Sequence, residues 1–105
     1  MQEALELATL GSAAVIGRED LGSLAPGKAA DLIGYRLDRL EFAGGAVHDP
    51  VAALLLCTAK GVDLSVINGR IVVESGQLLD SDLAGAIRTH DSIAAAMAAR
   101  HPLPV

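Results

Sequence analysis

Histidine is the side chain in this sequence best suited to bind a metal ion or to move a proton. The three histidines are His48, His90 and His101. The paired histidines of local metal motifs often stand two or four positions apart, and no pair here does. His48 adjoins Asp49, but the proline that follows makes this aspartate a predicted helix cap. His90 falls on an apolar helical stripe and His101 lies near the chain end, so the spacing predicts no metal ligand.

The other reactive residue types stand where structural roles are usual. Cys57 ends the apolar run PVAALLLC, which predicts a buried, inert thiol, because a nucleophilic cysteine needs an electropositive or base-paired setting. The carboxylate pairs Glu19–Asp20 and Asp80/Asp82 fall at predicted turns or helix starts, where solvation or capping is normal. The stretch GSLAPGK lacks the spacing of a phosphate loop. The residues themselves therefore predict no catalytic, cofactor-binding or metal site.

Composition and charge narrow the class of protein. The 105 residues suffice for one domain, 51% of them are hydrophobic and 2% are aromatic. The net charge of −5 and the scarcity of aromatic rings argue against nucleic-acid binding. A single cysteine excludes an internal disulfide and favours a reducing compartment, so we expect a cytoplasmic protein. No signal-peptide pattern or membrane-length apolar stretch is visible, and a mean hydropathy of +0.43 predicts apolar surface covered by a partner.

The first forty residues predict a helix, a tight turn and a strand. Apolar residues at spacings of three and four predict a helix over residues 2–16, and Gly17 suits its end. Pro26–Gly27 is typical of a type II turn, because proline fixes φ at the second position and glycine accepts positive φ at the third. Residues 30–37 then predict a strand.

The middle of the chain predicts a loop followed by a buried helix. Residues 41–49 contain two adjacent glycines and predict a loop. Asp49 as N-cap and Pro50 at the first helical position predict a helix over residues 50–60, ended by Gly61. Because this helix is apolar nearly all round, we expect it to be buried on more than one side.

A hairpin and a terminal helix complete the pattern. Asn68–Gly69 between alternating apolar residues predicts a two-residue turn. It would pair Ile67 with Arg70, Val66 with Ile71, Ser65 with Val72 and Leu64 with Val73. Ser75–Gly76 predicts a second turn before a return strand over residues 77–79. A final helix, capped by Asp80 or Ser81 and ended by Pro102, would carry an apolar stripe of Leu83, Ile87, His90, Ala94 and Met97.

Three stretches in this order resemble the closing segment of the metal-dependent amidohydrolase superfamily. They are EALELATLGSAAVIGREDLGSLAPGKAADLIGYRLD, LSVINGRIVVESGQL and HDPVAALLLC. The branch they resemble holds cytosine deaminase-like and chlorohydrolase-like enzymes, and the last stretch is most similar to 8-oxoguanine deaminase-like aminohydrolases. Such enzymes are (β/α)8 barrels with a small β-sandwich built from both chain ends.

The resemblance implies an α+β fold with a definite division. Residues 1–17 would be the last barrel-type helix, and residues 18–105 the C-terminal part of the composite β-sandwich with its terminal helix. Strands of the sandwich would lie within residues 22–37 and 63–79, and the terminal helix would pack outside them.

The resemblance also implies what this chain lacks. The family binds zinc or iron through a His-x-His, two later histidines and an aspartate, all upstream of the matched segment. No residue here maps onto those ligands, so the chain itself is expected to hold no cofactor. The implied function is a C-terminal scaffold fragment, not catalytic alone, of an aminohydrolase or deaminase that cleaves non-peptide C–N bonds of a purine- or triazine-like ring.

Two alternatives stay open at this point. One is a stand-alone structural or interaction module derived from such a fragment, a homodimer or higher oligomer that associates through residues 49–59 and 83–97. The other is a single-domain enzyme with a site at a subunit interface, built from His48, Asp49 and His90. The expected partner is accordingly either a second copy of the chain or the missing N-terminal barrel, with no nucleic acid and no membrane.

Overall fold

A computed structural model of the chain describes residues 1–100. The predicted N-terminal helix is confirmed, with one irregularity. It runs as α1 (Gln2–Glu6), a π-helical turn (Leu7–Gly11) and α2 (Ser12–Val15), which together are called the N-terminal helix below. Gly17 ends it with φ +71°, and the Gly17 and Arg18 amides close on carbonyls of the last turn in a Schellman arrangement.

The predicted strand after the Pro26–Gly27 turn is present but short. The type II turn is confirmed by φ +85° at Gly27 and by a Lys28 N–H to Ala25 C=O bond of 3.2 Å. Strand β1 covers only Leu32–Gly34, whereas residues 30–37 were predicted. The regular pairing stops there because carboxylate side chains, not backbone carbonyls, accept the next amides at both ends of the strand.

The predicted loop over residues 41–49 is wrong in part. A 3-10 turn (Leu40–Phe42) and a short helix α3 (Gly45–His48) occupy most of it. Gly45 permits this because a Cβ there would lie only 3.4 Å from the Ala53 Cβ, so α3 packs closely on the next helix.

The following helix, α4 (Pro50–Leu56), is confirmed at its start and wrong at its end. Asp49 caps it, since Oδ1 accepts the Ala52 N–H at 2.9 Å. The helix stops at Cys57, which is extended, and not at Gly61. Cys57 and the β-branched Thr58 both have low helix propensity, which explains the early end.

Four antiparallel strands form one sheet in the order β1-β2-β3-β4, with β2 at Leu64–Ile67, β3 at Arg70–Glu74 and β4 at Gln77–Leu78. Both predicted two-residue turns are confirmed by positive φ at each central residue, Asn68 and Gly69 in one, Ser75 and Gly76 in the other. The return strand is one residue shorter than predicted.

The predicted hairpin register holds only next to the turn. Ile67 pairs with Arg70 and Val66 with Ile71 as expected, but Ser65 pairs with Val73 and Leu64 with Glu74. A β-bulge between Ser65 and Val66 leaves Val72 without a partner on β2, which shifts the rest of the ladder by one residue.

The terminal helix α5 covers Leu83–Arg100. Asp82 caps it by accepting the Gly85 N–H at 2.8 Å, not Asp80 or Ser81 as predicted. Asp80 has φ +54°, which is unsuited to an N-cap. All residues of α5 are exposed except the half-buried Gly85, so the implied packing of this helix outside the strands is not seen. Pro102, the predicted helix end, lies outside the described residues.

The fold is α+β, as expected, but its core is very small. Among residues 1–100 the buried apolar side chains are Ala13, Phe42 and Ala53. The predicted burial of α4 on several sides is therefore wrong, since only Ala53 of that helix is buried. The described strands make one sheet, so the β-sandwich stays a prediction. Within the same residues no helix is long and apolar enough to cross a membrane.

Candidate functional site

The histidines and the aspartate considered for chemistry lie on separate elements. His48 is the exposed last residue of α3, the Asp49 carboxylate is engaged as the cap of α4, and His90 is exposed on α5. His101 lies outside the described residues. Over residues 1–100, no three His, Cys, Asp or Glu side chains come together in a way that could hold a metal ion.

Cys57 differs from its predicted environment. It was expected inside an apolar helix, but it stands at the C-terminal cap of α4 and is half-buried. The reason is the early end of α4, which leaves the thiol where the chain becomes extended.

Of the two carboxylate pairs found in the sequence, Asp82 has the predicted capping role, whereas Asp20 and Asp80 form ion pairs that were not predicted. Arg18 holds Asp20 with two hydrogen bonds of 2.6 and 2.7 Å, and this bonding lowers the pKa of Asp20. Asp80 pairs with Arg70 at 2.7 Å, while Asp82 caps α5. None of these carboxylates has the buried, isolated setting that prepares a catalytic acid or base.

An apolar groove of about 410 Å³ lies beside the edge strand β1. The N-terminal helix, the segment before β1, the strand itself and α4 each contribute a wall. We call this the β1 groove; its main lining residues are Leu5, Thr9, Leu24, Leu32, Ile33, Tyr35 and Leu54. Gly22, Ser23 and Asp31 also border it, but its exposed lining is mostly apolar, so it favours an apolar protein segment over a charged ligand.

Two local features shape the β1 groove. The π-helical turn of the N-terminal helix carries Thr9, whose hydroxyl donates to the Leu5 carbonyl at 2.8 Å. Gly22 lies directly on this turn: a Cβ there would be 2.9 Å from both the Leu10 Cα and the Thr9 carbonyl oxygen. Any side chain at position 22 would therefore push the segment before β1 off the helix.

The apolar surface extends well beyond the groove. Large apolar side chains are more than half exposed on the N-terminal helix, on α3, α4 and α5, and on the sheet. Among them are Val15, Ile33, Val47, Leu56, Ile87 and Met97. The chain exposes 8241 Å², whereas a compact protein of 10.7 kDa exposes about 5,500 Å². Its radius of gyration is 18.7 Å, against about 13 Å for a compact domain of this length. Such a surface is typical of a segment that is completed by another part of a protein.

Sequence reasoning did not find the β1 groove. It selected residues 49–59 and 83–97 as interaction surfaces, and of these only Leu54 lines the groove. The groove joins residues from four separate stretches, so no local spacing could have revealed it.

Comparison with known proteins gives the family of this chain. The amidohydrolase family pattern matches residues 1–73, so the chain belongs to the amidohydrolase family. This confirms the resemblance drawn from the sequence.

Relatives place the chain in the deaminase and chlorohydrolase-like branch of that family. It is 47% identical over 96 residues to an 8-oxoguanine deaminase of Pseudomonas aeruginosa, covering 91% of this chain and 21% of that protein. It is 39% identical over 90 residues to a hydroxydechloroatrazine ethylaminohydrolase of a Pseudomonas species, covering 85% of this chain and 18% of that protein.

A solved structure agrees with these relatives. Atrazine chlorohydrolase TrzN from Arthrobacter aurescens TC1, complexed with zinc, superposes with a TM-score of 0.78 at 36% identity, over 88% of this chain and 20% of that chain. The chain therefore spans about a fifth of the length of the proteins it matches.

Proposed function

We propose that this chain is the C-terminal scaffold segment of a metal-dependent amidohydrolase, and that its catalytic groups come from a part of the protein outside these residues. The observation that carries the proposal is the small core. Three buried apolar side chains cannot stabilise a domain of this length, and the apolar surface left open matches the need for a much larger companion. In this proposal residues 1–17 are the last barrel-type helix and residues 18–105 belong to the composite β-sandwich.

A metal ion does not fit the residues that the structure describes. Residues 1–100 offer no group of three ligating side chains, and the two described histidines are exposed on different helices. We therefore propose that the zinc or iron of the parent enzyme is held by residues other than these. The role left for this segment is to complete the fold that positions those residues.

The proposed reaction is hydrolysis of a non-peptide C–N bond on a purine- or triazine-like ring. Support comes from the relatives, which include an 8-oxoguanine deaminase and an ethylaminohydrolase of a triazine. The isolated chain is expected to release no ammonia from such rings, because residues 1–100 bring together no set of side chains that could hold a water-activating metal ion.

Fragment complementation tests this proposal. The 8-oxoguanine deaminase of Pseudomonas aeruginosa would be expressed without the region that matches this chain, and the chain would be added as a separate polypeptide. Each part alone should release no ammonia from 8-oxoguanine, and the mixture should regain zinc-dependent release. Ammonia release by the chain alone, or purified parts that fail to associate, would contradict the scaffold role.

A second candidate is an oligomeric interaction module in which copies of the chain cover one another through residues 49–59 and 83–97. The observation that favours it is the exposure of Leu56 on α4 and of Ile87 and Met97 on α5. Light scattering coupled to size-exclusion chromatography separates the candidates. A discrete dimer or higher oligomer that does not bind the truncated deaminase supports the module, whereas a chain that leaves its self-association to bind that enzyme supports the scaffold.

A further inference from the structure

Strand β1 is tied to the β2–β3 hairpin at its first end by an aspartate side chain. Asp31 Oδ1 accepts the N–H of Asn68 at 2.6 Å, and the neighbouring Ala30 carbonyl accepts the N–H of Gly69 at 3.1 Å. Both amides of the Asn68–Gly69 turn are thus bonded to the two residues that precede β1. An exposed hairpin turn ordinarily leaves its first central amide to water, so the contact with Asp31 is a specific addition.

The other end of β1 is held by Asp63, which uses all of its hydrogen-bonding groups. Oδ2 accepts the Arg36 N–H at 2.8 Å, and Oδ1 pairs with the Arg39 guanidinium. The Asp63 amide donates to the Gly34 carbonyl at 2.9 Å, and its carbonyl accepts the Gly76 N–H at 3.0 Å. The Asp63 side chain itself is only 13% exposed.

The two contacts matter because β1 has little else to fix it. Strand β1 pairs with β2 at three residues only. The chain between β1 and β2 is a long connection that contains α3 and α4, called the α3–α4 excursion below. A slip of one residue would turn Ile33 to the opposite face of the sheet and dismantle the β1 groove. Asp31 and Asp63 each accept an amide from the opposing strand segment, one at each end, and this arrangement fits a single register.

We propose that Asp31 and Asp63 form a carboxylate clasp that fixes the register of β1 and closes the base of the α3–α4 excursion. The clasp acts as a conformational device: while it is closed, β1 and α4 stand as neighbouring walls of the β1 groove. It involves only contacts within this chain, so it does not rest on the proposed function. Both aspartates are positioning residues and need touch no substrate.

Amide hydrogen exchange followed by nitrogen-15 NMR on the full chain tests the clasp. Asp31→Ala should speed exchange of the Asn68 amide by at least about tenfold, the loss expected for one charge-assisted hydrogen bond. Asp63→Ala should do the same to the Arg36 amide. The Ala52 amide, capped by Asp49, reports general unfolding and should stay protected.

Asp38→Ala is the matched control, because Asp38 pairs with the Arg36 side chain but accepts no backbone amide of the clasp. It should leave the Arg36 amide unchanged. Asp31→Asn and Asp63→Asn keep an acceptor oxygen, so the Asn68 and Arg36 amides should keep most of their protection in these variants. The asparagine variants therefore test the clasp even if the alanine variants unfold. The clasp is refuted if the Asn68 and Arg36 amides of the unaltered chain exchange as freely as unbonded ones, or if Asp38→Ala has the same effect as Asp63→Ala.

Discussion

The side chain of Ile33 gives the sharpest prediction about the β1 groove. Ile33 is 60% exposed on the edge strand, which leaves about 110 Å² of apolar surface worth about 2.7 kcal/mol when a partner buries it at about 25 cal/mol per Å². Ile33→Asp removes that gain and asks the partner to bury a carboxylate. Since 1.4 kcal/mol is a factor of ten, the affinity for the partner should fall by about 100-fold or more.

The assay is the complementation reaction, with the truncated deaminase held constant and the chain titrated. The concentration that gives half-maximal ammonia release should rise about 100-fold for Ile33→Asp. Val47→Asp is the control, because Val47 is 83% exposed on α3 and lines no wall of the β1 groove. Equal midpoints for Ile33→Asp and the unaltered chain, or an equal loss in Val47→Asp, would contradict the prediction that the partner binds in the β1 groove.

Three further predictions concern the stability of the elements around the groove. Asp49→Ala should lower the free energy of unfolding by about 1 kcal/mol, measured by urea denaturation, whereas Asp49→Asn keeps the cap and should be nearly neutral. Gly22→Ala should cost clearly more than Gly27→Ala, since both have positive φ but only position 22 lacks room for a Cβ. NMR titration should place the pKa of Asp38 below its ordinary 3.8, because hydrogen bonds from Arg36 lower that pKa. The Arg36–Asp38 pair therefore stabilises the fold at pH values above the ordinary pKa of aspartate. This contribution is lost as the pH falls through the lowered pKa of Asp38.

Each of these has an outcome that would contradict it. Equal losses for the alanine and asparagine variants of Asp49 would show that the carboxylate does not act as a cap. Equal costs at Gly22 and Gly27 would show that the segment before β1 does not rest on the π-helical turn. A pKa for Asp38 at or above 3.8, or a pKa that does not change when Arg36 is replaced by Gln, would show that Arg36 does not lower it.

Features set by neighbouring residues could be predicted from the sequence. The Asn68–Gly69 turn, the type II turn at Gly27 and the cap at Asp49 depend on conformations that their own residue types prefer. These features were confirmed, and so was the Gly17 end of the first helix. The family resemblance was carried by the same local stretches.

Features set by distant partners could not be predicted. The length of β1 depends on carboxylates 27 and 37 positions away from the amides they accept. The bulge at Val72 shifts a ladder that the alternation of apolar residues alone would leave regular. The β1 groove forms only when the N-terminal helix, β1 and α4 pack together, and these elements are far apart in the sequence. The exposure of α5 was not predicted, because the residue pattern of a helix does not say which surface the helix packs on.

The central claim is that this chain is a scaffold segment whose catalytic part lies elsewhere in the same protein. The most direct measurement is the source DNA sequence immediately upstream of the Met1 codon. The account predicts an open reading frame that continues upstream in the same phase and encodes a His-x-His, two later histidines and an aspartate. An in-frame stop codon followed by a start signal of its own for Met1 would contradict it and would favour the oligomeric module.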